Sequence, residues 1–225
     1  MHIEPGVVDG AKILLSYATA AGALGLVGKV LVGNLRESGI PAIIARSALS
    51  TALVFVFFEV LPHQPVGVSE VHLILGSTLF LLFGAGPASI GLALGLLIQG
   101  LFFAPFDLPQ YGMNVTTLLV PLLAISMLAK RMIQPATPYV DVSYKQALAL
   151  STAYQGGIVL WVAFWAFYGQ GFSVDNLARV SSFGLAYMSV IIVEPLVDLA
   201  VLGAAKALHK ATSTPLFVDR LHRPA

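Results

Sequence analysis

The sequence is dominated by long stretches in which charged residues scarcely appear. Seven of them fall at 11–32, 42–61, 71–83, 88–103, 115–133, 146–168 and 180–208. A bilayer core is about 30 Å thick, so a helix needs about 20 mostly apolar residues to cross it. Within lipid, backbone N–H and C=O groups have no water to bond, and helices satisfy them internally. Apolar residues make up 57% of the chain and charged residues 10%, against roughly 45–50% and 25% in soluble domains. These proportions predict an all-α, polytopic transmembrane helical bundle of about seven spans, built as a single integral membrane domain over residues 1–225. The third and fourth stretches are short, and Gly84-Ala85-Gly86-Pro87 between them reads as a tight turn inside the bundle.

Loop charges predict the orientation, because cytoplasmic loops collect Lys and Arg. With the N-terminus outside and the C-terminus cytoplasmic, ten of the 12 basic residues lie on the inner side, and only Lys12 and Arg179 face out. Residues 1–10 then form an external segment and residues 211–225 a cytoplasmic tail. Such a chain belongs in the cell membrane, or inner membrane, of a bacterium or archaeon, surrounded by lipid. The acidic start (Glu4, Asp9) and the long first apolar run argue against a cleavable signal peptide. No cysteine is present, which excludes disulfides, thiolate metal sites and cysteine nucleophiles. No phosphate-binding P-loop appears, so any ATP hydrolysis has to come from another protein. There is no basic cluster for nucleic acid, and nothing in the sequence calls for an organic cofactor or for catalysis.

The first residues carry the chemistry. Met1-His2 offers the terminal amine, the His2 amide nitrogen and the His2 imidazole to one ion. Together they close a five- and a six-membered chelate ring. Such a nitrogen set suits square-planar or tetragonal Ni²⁺, Cu²⁺ or low-spin Co²⁺. A fourth ligand must come from elsewhere. His72, opening the third stretch, is the first choice, although an interfacial histidine bonded to water is an equally ordinary reading of its position. His63, in Leu61-Pro62-His63-Gln64-Pro65, is the rival; its prolines place it on a loop surface.

Other polar residues sit where lipid disfavours them. Asn114, in Tyr111-Gly112-Met113-Asn114, either caps the fifth helix or supports a ligating histidine by hydrogen bonding. Met113 reads as packing. Gln99 should face the bundle interior. Glu194 and Asp198 lie four apart, hence on one helix face, with Pro195 between them. They read as a cation path or coupling element, or as an ion pair with a base such as Arg46. Glu59 adds negative charge near the outer face. Ala18 with Gly22, Ala21 with Gly25, and Gly91 with Gly95 permit close helix contact.

With Met1-His2-Ile3, Gly84-Ala85-Gly86-Pro87, Gln99-Gly100-Leu101-Phe102 and Gly112-Met113-Asn114 in this order, the chain resembles the CbiM/NikM family. These are the substrate-binding membrane subunits of energy-coupling-factor transporters for cobalt and nickel. The resemblance implies that the N-terminal segment folds back into the bundle. It implies a metal site formed by the Met1 amine, the amide and ring of His2, and His72. It also implies partners: a transmembrane coupling subunit, ATP-hydrolysing subunits and often a small accessory membrane protein. The chain departs from the family at Pro5, which precedes Gly6, and at Tyr187, where the family tends to carry histidine. The competing reading is a solitary membrane metal carrier or sensor that is not coupled to ATP hydrolysis.

Overall fold

In a computed structural model the described residues are 2–135 and 137–207. Met1, which carries the amine of the expected chelate, and the expected tail at 211–225 lie outside them, as does residue 208 at the end of the seventh stretch.

The first two apolar stretches form one continuous run, α1 (Ile13–Phe55), bent at Gly39. Gly39 has φ 76°, open to glycine at little cost, and Pro41 follows and cannot donate a helical hydrogen bond. The two arms run in opposite directions. Tyr17 donates to the Pro109 carbonyl at one end of the bundle. Lys29 and Arg46 line a groove of about 680 Å³ at the other, and Phe58 is back at the first end, against His72. The second arm finishes in a π-helical turn, Val56–Val60, which carries Phe58 and Glu59.

The expected third span is corrected by the structure. Its first residues belong to a hairpin of β1 (Gln64–Val66) and β2 (Ser69–Val71), paired antiparallel with Pro65 opposite Glu70. Only Gly76–Phe83 is helical (α2), about 12 Å long at 1.5 Å per residue. The segment still travels the length of the bundle, from His72 at the hairpin end to Phe80 and Phe83 in the far groove. It covers that distance with residues 72–75 outside the helix and Leu75 in a left-handed conformation, φ 54°. Gly84 then turns the chain in a single residue with φ 89°, as the glycine-rich sequence predicts.

α3 (Ala85–Phe102), α4 (Tyr111–Met132), α5 (Tyr144–Gln170) and α6 (Val174–Ala207) complete the bundle. α3 runs alongside the second arm of α1. A Cβ on Gly91 would lie 2.0 Å from Ser50 Oγ, and one on Gly95 would lie 2.5 Å from Val54 Cγ1. These glycines serve internal packing, whereas Gly22 and Gly25 face open space. α5 starts at a capping box in which Ser143 and Gln146 satisfy each other's backbone N–H groups. α4 is central, with Leu118, Leu119 and Leu122 fully buried. Leu26, Phe102, Leu160 and Leu185 point outward, as a lipid-facing surface requires. Among the described residues, five helical segments are long and apolar enough to cross a membrane, the bent first one counted once.

Candidate metal centre

The N-terminal segment enters the bundle as an extra strand. Ile3 bridges antiparallel to Ser69. The His2 carbonyl accepts from the Glu70 N–H at 2.9 Å and from the Ser69 hydroxyl at 2.8 Å. Glu4 N–H donates to the Val68 carbonyl at 3.1 Å. On the other side, Ile3 N–H donates to Asn114 Oδ1 at 2.8 Å. Asn114 therefore does not cap α4, whose first residue is Tyr111; it tethers the N-terminal strand. Further along, Val7 and Val8 are buried against the end of α5. A Cβ on Gly169 would fall 1.9 Å from the Val7 carbonyl oxygen. Lys12 Nζ donates to the Gly169 carbonyl at 2.7 Å, and Gln170 Nε2 to that of Gly6 at 3.1 Å.

This docking buries His2 and sets its ring 6.1 Å, centroid to centroid, from His72. Phe58 packs edge-on to both rings. His2 Nδ1 lies 2.6 Å from Glu70 Oε2, and His72 Nδ1 lies 3.0 Å from the Leu73 carbonyl oxygen. A carbonyl and a carboxylate can only accept, so both Nδ1 atoms carry the proton and both Nε2 atoms keep a lone pair. Among the described residues neither Nε2 has a hydrogen-bond partner, and both are buried. Burial pushes the His2 imidazole below its ordinary pKa, outweighing the nearby carboxylate, so the ring is neutral, the form that binds metal. Burial alone would raise Glu70, but the hydrogen bond from His2 outweighs it and holds the carboxyl below its usual value. Ligating atoms of His2, Glu70 and His72 all lie within 4.8 Å of one another; ligands of one ion with bonds of about 2 Å stand at most about 4 Å apart, so a small side-chain shift would close the set. A small cavity of about 10 Å³ adjoins His2 between Leu96, Asp107, Tyr111 and Asn114.

The other expected residues divide. Gln99 is buried beside this centre and donates to Glu59 at 3.3 Å. His63 stays outside the cluster, half-buried, with Nδ1 3.3 Å from the Leu61 carbonyl. Among the described residues Glu194 and Asp198 are bonded to a backbone amide, hydroxyls and a glutamine rather than to a base. Glu194 accepts from Ile74 N–H and from Gln155 Nε2, and Tyr187 donates to Gln155 Oε1 at 2.7 Å. Asp198 accepts from Ser77 Oγ at 2.5 Å and from the Thr78 hydroxyl. Both carboxylates thus grip the N-terminal end of α2, where helix N–H groups are unsatisfied and the dipole favours negative charge. Sequence reasoning passed over Glu70. Its signal is the spacing Glu70-Val71-His72, since residues two apart on extended backbone share a face.

The helical bundle superposes on solved structures of other proteins. One solved structure, described as a transition metal transporter, superposes with a TM-score of 0.72 at 18% identity, covering 94% of this chain and 95% of that one. A truncated transition metal transporter gives a TM-score of 0.66 at 18% identity, covering 91% and 95%. A Haemophilus influenzae protein, whose name assigns it provisionally to metal transport, is 32% identical over 139 residues; the match covers 60% of each chain. The family model described as the cobalt uptake substrate-specific transmembrane region matches residues 2–211, and the chain belongs to this family, CbiM.

Proposed function

We propose that the chain is the substrate-capture component of an energy-coupling-factor importer for a transition metal ion, Co²⁺ or Ni²⁺. In this reading the Met1 amine, the His2 amide nitrogen, the His2 ring and His72 hold the ion. Gln99 and Asn114 support the histidines and the strand that carries them. The observation that carries the reading is the buried cluster of His2, Glu70 and His72, with ligating atoms within 4.8 Å of one another and His72 Nε2 without a hydrogen-bond partner among the described residues. A buried polar atom left without a partner is costly, and a metal ion is a partner that its lone pair can take. The chain binds and carries out no catalysis. Without a P-loop in the sequence, energy has to come from a transmembrane coupling subunit and ATPase subunits. The protein works as one multi-pass domain in the cell membrane, N-terminus outside.

The test is metal binding by protein with a native first residue. Such protein should bind Ni²⁺ or Co²⁺, and one residue inserted between Met1 and His2, or an N-terminal tag, should abolish it. A C-terminal tag should not. Equal metal content in the native and N-tagged proteins would overturn the reading.

A further inference from the structure

Glu70 stands outside the four-nitrogen set, yet it holds the nitrogen that set requires. A residue that binds one ion through both its amide nitrogen and its imidazole must use Nδ1, which closes a six-membered ring; Nε2 lies too far round the imidazole. In this structure Nδ1 is the atom 2.6 Å from Glu70 Oε2. Metal and carboxylate therefore compete for one position. Resting on the metal-capture reading above, we infer that Glu70 is an exchangeable ligand of the site. It holds His2 Nδ1 before the metal arrives and passes to the metal, as an oxygen donor, on loading.

The geometry keeps Glu70 close throughout. Its backbone N–H is bonded to the His2 carbonyl at 2.9 Å, so strand pairing fixes the carboxylate beside the ring. Glu70 and His72, two apart on extended chain, aim at the same point from one side. Asp107 also faces this nitrogen, but at 3.9 Å, beyond hydrogen-bond distance. Charge supplies the reason for an oxygen donor. A divalent ion bound to one deprotonated amide and three neutral nitrogens leaves a net charge of about +1 in a buried site, which is costly. The Glu70 carboxylate cancels it. Loading then expels the His2 amide proton to water, with that of the amine where it is protonated, while the ring proton passes from Nδ1 to Nε2; no atom changes oxidation state. The site becomes a mixed nitrogen and oxygen one, tetragonal rather than strictly square-planar.

The experiment adds Ni²⁺ alone to the full chain with a free N-terminus and records the infrared difference spectrum and the affinity. Wild-type protein should show its carboxylate stretching bands shift on loading, and Glu70→Gln should lose that shift. Glu70→Gln should bind Ni²⁺ about 10- to 100-fold more weakly, the range for residues that orient or support metal ligands. Glu70→Asp should recover part of the loss. A wild-type spectrum without a carboxylate shift would overturn the inference, and it needs no variant to fold. So would a Glu70→Gln protein with wild-type affinity. His72→Ala separates the two levels: if it too bound Ni²⁺ like wild type, the metal-capture reading itself would fail, whatever Glu70 does.

Discussion

Replacing Asn114 with alanine tests how the first strand is held. Asn114 Oδ1 accepts the Ile3 N–H at 2.8 Å, in a buried setting. Burying Ile3, Val7 and Val8 contributes about 2 kcal/mol each. The hydrogen bonds to Asn114, Val68, Glu70 and Ser69 add about 1 kcal/mol each, which brings the total to roughly 10 kcal/mol. Ordering residues 2–9 costs about 1–2 kcal/mol per residue, so the two sides nearly balance. The segment is held by a small difference, and a loss of about 1–3 kcal/mol from an unsatisfied buried N–H should populate the undocked state. Only the docked fraction can bind metal, so apparent affinity falls with it. The expected loss for Asn114→Ala is about 5- to 150-fold in Ni²⁺ affinity, read by calorimetric titration of protein with a native N-terminus. Asn114→Asp keeps an acceptor oxygen and should lose less. If Asn114→Ala bound Ni²⁺ as tightly as wild type, the tether would be energetically silent and this reasoning wrong.

His72→Ala should lose most Ni²⁺ affinity and His63→Ala little, because His63 stands outside the cluster; the opposite ranking in titrations would move the site to His63. Gly169→Ala places a methyl 1.9 Å from the Val7 carbonyl and should weaken metal binding by displacing the N-terminal strand. Gly156→Ala, which meets open space, should leave it unchanged, and equal effects would contradict the packing argument. Burial lowers the His2 pKa from 6.5, so the unfolded chain takes up a proton that the native ring resists. The metal-free protein should therefore lose thermal stability as pH falls through about 6.5, and less so in His2→Ala; a pH-independent difference between the two would refute it.

The membrane class was legible in the apolar runs, and the one-residue turn in Gly84. Hydropathy could not show that residues 72–75 abandon the helix, because it measures how a segment partitions into lipid and not how its backbone is wound. What winds or unwinds this segment is held from afar, by Glu194 on Ile74 and Asp198 on Ser77, about 120 residues away in the chain. Those carboxylates read as a path or an ion pair because their partners are a backbone amide and hydroxyls, which leave no charge pattern in a sequence. Asn114 looked like a cap because it stands near a helix start, and its partner at Ile3 is set by tertiary packing alone. His2 and His72 were paired from their residue types alone, and the family resemblance implied the same pair. Glu70 was missed because a strand was not expected there, and only alternation along a strand places it with His72.

The N-terminal strand has a consequence for biosynthesis. It pairs first with Val68, Ser69 and Glu70, but its other contacts are made with residues that appear late: Asn114, then Gly169 and Gln170. The docking of this strand is thus complete only once α5 has been synthesised. Contacts so distant in sequence form slowly. On the metal-capture reading, a copy becomes competent only at that last docking step, however early its helices have formed.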